Sequence, residues 1–436
     1  MINDNTQKSL FPELEYSTKS NIKSRSGTFS DNMKLPIHRW FRYSAGFSAQ
    51  WAETEMETRK KNGTLSVLDP FAGSGTTLLA ASSDQVRSVG FESHPFVYRI
   101  AKAKLNWDVD TLELKKRAED LVAYAKTLKD YDLTTESPLL TKCFEPQALR
   151  SLESLKRSFL YKCEKEDKIS ELLWLAITSI LRVCSSVGTA QWQYLLPNKK
   201  KAKTIEPVLA FEVKIAQIIE DIQYAKRNNW TSTSEIVMTD ARFPTHSSNE
   251  LFDLVITSPP YPNNYDYADA TRLEMTFWGE VKGWGDLHSA ARQFLIRSCS
   301  QHSAKEKLTL DTLLNDEILN PILPELEKAC RELEEVRKTK GGKKTYHTMA
   351  AAYFSDLGYV MKSLRSCCKE GSEMCFVIGD SAPYGVYLDV ENWLGALALN
   401  AGFKSYSFEK LRDRNIKWKN RKHRVPLKEG RLWIKG

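Results

Sequence analysis

The stretch Thr64 to Ser93, "TLSVLDPFAGSGTTLLAASSDQVRSVGFES", constrains the fold more than any other part of the chain. An apolar run through Leu65, Val67 and Leu68 enters a glycine loop, Phe71-Ala72-Gly73-Ser74-Gly75-Thr76-Thr77, followed by a short apolar helix pattern and a second strand pattern, "VRSVGFES". Strand, loop, helix and strand in so few residues predict a βαβ unit, whose two strands must be parallel. Further strand signals follow at "SEIVMTDARF" (234–243), "FDLVIT" (252–257) and "EMCFVIGDS" (373–381). Helical patterns fill most of 110–227 and the charged stretch 285–345, and "RVPLKEGRLWIKG" reads as a closing edge strand. Strands alternating with helices predict an α/β fold, a doubly wound sheet carrying two helical insertions.

A chain of 436 residues, 42% hydrophobic and 27% charged, can bury a large core. Its longest apolar runs, such as Leu172 to Val183, are too short to span a bilayer. The N-terminus lacks a basic start followed by an apolar stretch, so a cytoplasmic location is expected. Eight scattered cysteines show no Cys-x-x-Cys pair or Cys/His cluster, and read as reduced packing residues with no metal. The formal charge is only +8, but cations gather in "NKKKAK" (198–203), "RKTKGGKK" (337–344) and "RDRNIKWKNRKHR" (412–424). The last holds seven Lys or Arg against one Asp and includes Trp418, so phosphate contact and base stacking are both available. Lys199, Lys200, Lys417, Lys419, Arg421 and Lys422 are the candidate nucleic-acid contacts.

The glycine loop lacks the Gly-Lys-Ser/Thr of a phosphate loop and the third glycine of a dinucleotide fingerprint. Glu92 lies 23 positions after Asp69, at a strand end where a carboxylate can accept from both hydroxyls of a ribose. Asp240, after another strand, is placed to meet the amino group of an adenine. A second unusual exit follows the strand Phe252 to Thr257. Ser258-Pro259-Pro260-Tyr261 fixes two φ angles and gives up two backbone donors at one point, which suits a rigid site that needs free acceptors.

Together, "DPFAGSGTT" and "SPPY" resemble the cofactor loop and the catalytic loop of the S-adenosylmethionine-dependent amino-methyltransferases of DNA (N4-cytosine and N6-adenine type). The likeness extends to "PIHRWFRYSAGFSAQW" (36–51), similar to the segment that closes over the methionine end of the cofactor, and covers about half the chain. It implies a Rossmann-like methyltransferase sheet. It also implies S-adenosyl-L-methionine as cofactor, held by Phe47, Asp69, Pro70, Phe71, Gly73, Gly75, Thr76, Glu92 and Asp240, and DNA as partner. An exocyclic amine is a poor nucleophile because its lone pair is delocalised into the ring. In this family the first side chain of the catalytic loop and the carbonyl of its first proline, here Ser258 and Pro259, accept the amine's hydrogens and free that pair. Pro260 helps lock this geometry, and Tyr261 is expected to stack on the extruded base. Tyr265, Asp266 and Tyr267 either line the base pocket or pack, whereas His38 and Trp40 read as packing residues.

Serine at the first loop position leans, within the family, towards N4 of cytosine over N6 of adenine. The absence of any Pro-Cys pair argues against methylation at C5. The expected organisation is a flexible arm (1–27), a cofactor-binding half (28–109), a helical insertion as first candidate for target recognition (110–230), a segment with the catalytic loop (231–284), a charged helical insertion (285–345) and the C-terminal half of the core (346–436). The expected function is that of a DNA methyltransferase, as the modification partner of a restriction or antiviral-defence system. An RNA guanine-N2 methyltransferase and a non-catalytic DNA-binding subunit are the competing readings. Asp or Asn usually precedes the proline pair of the former, and the intact set of Asp69, Gly73, Gly75, Glu92 and Asp240 speaks against the latter.

Overall fold

The computed structural model describes residues 30–60, 65–128, 131–190, 194–245, 250–301, 308–340, 345–414 and 425–436. The expected N-terminal arm and the basic positions Lys417, Lys419, Arg421 and Lys422 lie outside them.

Among the described residues nine strands form: β1 (Ser66–Asp69), β2 (Arg87–Glu92), β3 (Val187–Thr189), β4 (Leu195–Lys200), β5 (Ser234–Met238), β6 (Phe252–Thr257), β7 (Cys368–Gly379), β8 (Ser405–Arg414) and β9 (Leu427–Lys435). Seven of them make one sheet in the order β5-β2-β1-β6-β7-β9-β8. The pairs from β5 to β7 are parallel, and β9 runs antiparallel to both of its neighbours. The chain winds outwards from β1 through β2 to β5, then returns to β6 on the other side of β1. The switch point of the sheet therefore lies between β1 and β6, where open α/β sheets bind their ligands.

Alternation along the central strands sorts their side chains onto two faces. Leu68, Val255, Met374 and Phe376 pack into one core with the helices Tyr346–Cys367, Leu323–Thr339 and Val390–Asn400. Val67, Leu254, Ile256, Cys375 and Val377 face the other way, against Trp51, Ala52 and Met56 of the helix Ala49–Arg59. The helices Thr111–Thr127, Pro146–Lys162, Lys168–Cys184 and Pro207–Arg227 share a further large core, which also takes in Trp40, Phe96, Leu273 and Phe277. His38 is buried there as well, and the Trp40 indole N–H donates to Asp221 at 2.8 Å.

Two features depart from the sequence expectation. The C-terminal strand β9 is interior rather than an edge, and the edge is β8, "SYSFEKLRDR". Edge strands carry exposed charge to block further pairing, and that charge hides the strand from a search for apolar alternation. The stretch 110–230 also contains the antiparallel pair β3-β4, which bears Lys199 and Lys200. Among the described residues, no helix is long and apolar enough to cross a membrane.

Candidate active site

The loops after β1 and β6 meet at the switch point, and Asp69 joins them. Its buried carboxylate accepts from the Phe71 N–H at 3.0 Å, from the Thr77 hydroxyl at 2.5 Å and from the Thr257 hydroxyl at 2.6 Å. Thr257 is the last residue of β6, so one carboxylate fixes the glycine loop and ties it to the entry of Ser258-Pro259-Pro260-Tyr261. Burial pushes the Asp69 carboxyl up to about 6 against these three hydrogen bonds.

Gly73 and Gly75 both hold positive φ, 53° and 87°, a backbone region that glycine enters without a Cβ penalty. A Cβ on Gly73 would come within 3.2 Å of the Tyr43 ring. Gly75 caps the helix Thr76–Ser83, so Thr76 opens that helix. Glu92, at the end of β2, accepts from the Gly73 N–H at 2.9 Å and from the His94 N–H at 2.7 Å. Its carboxyl is lifted to about 7 by burial, with the backbone N–H groups of His94, Gly73 and Ser93 opposing. The carboxylate thus sits beside partly buried loop backbone, and its remaining lone pairs can serve a vicinal diol. The position fits the nucleoside end of S-adenosylmethionine.

Asp240 follows β5 and is engaged by Arg242, whose Nε and Nη2 lie 3.0 and 2.6 Å from Oδ2. Arg242 in turn meets Asp356 at 2.8 Å. Phe47 is buried, edge-on to Trp51 with ring centroids 5.4 Å apart. Pro70 completes the turn out of β1, and Phe71 is partly buried against the core that holds Leu68.

In the loop after β6 Pro259 is buried, whereas Ser258, Pro260 and Tyr261 are partly exposed. The Ser258 hydroxyl donates to the carbonyl of Val377 on β7 at 3.1 Å. Tyr261 lies against Gly379 at the end of β7 and under the Arg414 guanidinium, 5.0 Å from its ring centroid. Burial raises its phenol pKa, so it stays neutral. Tyr265 is buried and packs on Tyr267 with centroids 4.3 Å apart. Asp266 is a buried anchor, paired with Arg292 at 2.6 Å, and its N–H donates to the Tyr194 hydroxyl at 2.6 Å. Tyr194 belongs to the segment leading into β4, so the β3–β4 pair touches the segment that follows Ser258-Pro259-Pro260-Tyr261. Lys199 and Lys200 stand exposed on that hairpin, and Lys200 pairs with Glu145 at 2.9 Å. Sequence reasoning had not singled out Tyr43, Tyr194, Thr257, Arg292 or Arg414; each meets its partner here across 26 or more positions, which local pattern does not encode, while Thr77, inside the glycine loop, meets Asp69 eight positions before it.

A sheet of this order, with a glycine loop after its first strand and an acidic residue ending the second, defines a Rossmann-like methyltransferase. A family model described as DNA methylase (N6_N4_Mtase) matches residues 14–103. The Type II methyltransferase M.AvaI of Nostoc sp. is 26% identical over 410 residues, covering 86% of this chain and 81% of that one. The Type II methyltransferase M.BsoBI of Geobacillus stearothermophilus is 24% identical over 424 residues, covering 89% and 82%. The chain is thus similar over most of its length to Type II methyltransferases, and its N-terminal part matches the DNA methylase family model. The methyl donor that this family implies is S-adenosylmethionine.

Proposed function

We propose that the chain methylates N4 of cytosine in DNA, with Ser258 and the Pro259 carbonyl as the acceptors that activate the amine. The observation that carries this reading is the hydrogen bond from the Ser258 hydroxyl to the Val377 carbonyl at 3.1 Å. A serine hydroxyl has one proton and two lone pairs. With the proton turned towards the β7 carbonyl, a lone pair can meet an amine hydrogen. The two prolines hold the second acceptor rigid before substrate arrives, so little reorganisation is required in the transition state. Serine in place of Asp or Asn at this position supports cytosine N4 over adenine N6.

S-adenosylmethionine supplies an electrophilic methyl carbon when bound. Glu92 would hold its ribose, the backbone of Phe71, Gly73, Gly75 and Thr76 would line it, and Asp240, kept in place by Arg242, would take the adenine amino group. Asp69 and Pro70 shape this loop, and Phe47 backs the methionine end. Tyr261 would stack on the extruded cytosine. The first insertion, 110–230, is the target-recognition element in this reading, supported by the Tyr194 contact to Asp266 and by exposed Lys199 and Lys200. Relatives named type II methyltransferases support a role as the modification partner of a restriction system.

The test is Ser258→Ala, assayed by transfer of labelled methyl to DNA and by calorimetric binding of S-adenosylmethionine. Loss of one preorganised partner should cost roughly 2–4 kcal/mol of barrier, by analogy with an oxyanion-hole donor. Cofactor affinity should stay unchanged. Wild-type turnover in the variant would remove Ser258 from the chemistry.

A further inference from the structure

Arg414 is the last residue of β8, the edge strand, yet its side chain reaches past β9 to the carboxyl end of β7. There Nη1 donates to the Asp380 carbonyl at 2.7 Å, Nε lies 3.9 Å from the buried Glu429 carboxylate, and Cζ stands 5.0 Å from the centroid of the Tyr261 ring. The side chain is only 17% exposed. Gly379 makes room for both partners: a Cβ there would lie 2.6 Å from Arg414 Nη1 and 2.9 Å from Tyr261 Cε2. The β7–β9 register holds Gly379 opposite Glu429, and the β8–β9 register sets Arg414 opposite Leu427.

Resting on the functional reading above, we propose that Arg414 is a positioning residue that orients the Tyr261 ring for the target base, through a three-part clamp of Gly379, Arg414 and Glu429. A guanidinium held by a carbonyl and a carboxylate cannot follow the ring, so the ring must adopt the orientation the guanidinium sets. Cation–π attraction of this kind grows as the pair is desolvated, which suits a largely covered arginine.

The test compares Arg414→Gln, Arg414→Lys and Gly379→Ala with the wild-type chain, on a duplex carrying the site mapped by methylation sequencing. Arg414→Gln should lower kcat about tenfold, with the KM for DNA changed less than about threefold. S-adenosylmethionine affinity should stay as in the wild type, while the melting temperature should fall somewhat with the loss of the contacts to Asp380 and Glu429. Arg414→Lys, which keeps the charge, should recover part of the loss, and Gly379→Ala should match Arg414→Gln. With 2-aminopurine at the target position, the fluorescence gain on binding should fall in both impaired variants. Equal kcat in Arg414→Gln and wild type overturns the clamp alone. So does a loss confined to DNA affinity, which would make Arg414 a phosphate contact. A wild-type chain that transfers no methyl to any DNA removes both the functional reading and the clamp built on it.

Discussion

Glu92→Ala offers the most informative perturbation of the proposed cofactor site, because the structure gives this carboxylate two separable duties. It holds the glycine loop through the Gly73 N–H at 2.9 Å and the chain after β2 through the His94 N–H at 2.7 Å, and in the proposed function it also holds the ribose. Losing the charge-assisted contact to the ribose should weaken S-adenosylmethionine binding by about 2 kcal/mol, roughly thirtyfold. The pH profile separates Glu92 from its neighbours. Its folded pKa is raised from 4.5 to about 7 by burial, so in the unliganded chain its contribution to stability is full at low pH and is lost as pH rises through about 7. A ribose diol favours the ionised form. Cofactor affinity in the wild type should therefore fall as pH drops below about 7, approaching tenfold per unit, and the cofactor's effect on melting temperature should grow from about pH 6 to pH 8. The Ala variant should show weak binding with a flat profile between about pH 6 and 7. Calorimetry across that range measures both quantities. A folded variant with wild-type affinity, or with the wild-type slope intact, refutes the assignment.

Asp69→Ala removes the acceptor shared by Phe71, Thr77 and Thr257, and should lower stability by roughly 2–4 kcal/mol, as expected when several buried donors lose one partner. An unchanged melting temperature would mean that the two loops are not held together at this point. Neutralising Lys199 and Lys200 should flatten the salt dependence of DNA affinity by about two contacts' worth, and neutralising Lys417, Lys419, Arg421 and Lys422 by about four. An unaltered slope would assign those lysines and that arginine to solvated surface.

What could be read from sequence was what is local. The βαβ opening, the glycine loop and the double proline each announce themselves within a few residues, and β1, β2, β5, β6 and β7 all fall where apolar patterning expected them. The edge strand β8 was missed because its charged exposed face cancels the hydrophobic signal, and that omission made β9 look like the edge. Long-range polar contacts were not legible either. Asp69 meets Thr257 across 188 positions, and the Tyr194 hydroxyl reaches Asp266 across 72. Asp240 was visible as a strand-end carboxylate, but its engagement with Arg242, only two residues on, depends on a turn that apolar periodicity does not describe. Such contacts are set by which strands become neighbours, a property of the assembled sheet.

The central claim is that Ser258 and Pro259 activate an exocyclic amine of a DNA base. Its most direct measurement is digestion of DNA, methylated by the wild-type chain, to nucleosides followed by mass spectrometry. N4-methylcytosine is the predicted product, absent or strongly reduced with Ser258→Ala. N6-methyladenine would keep the loop chemistry and correct the choice of base. 5-Methylcytosine would contradict the mechanism, since that product requires a cysteine nucleophile in place of two acceptors at an amine.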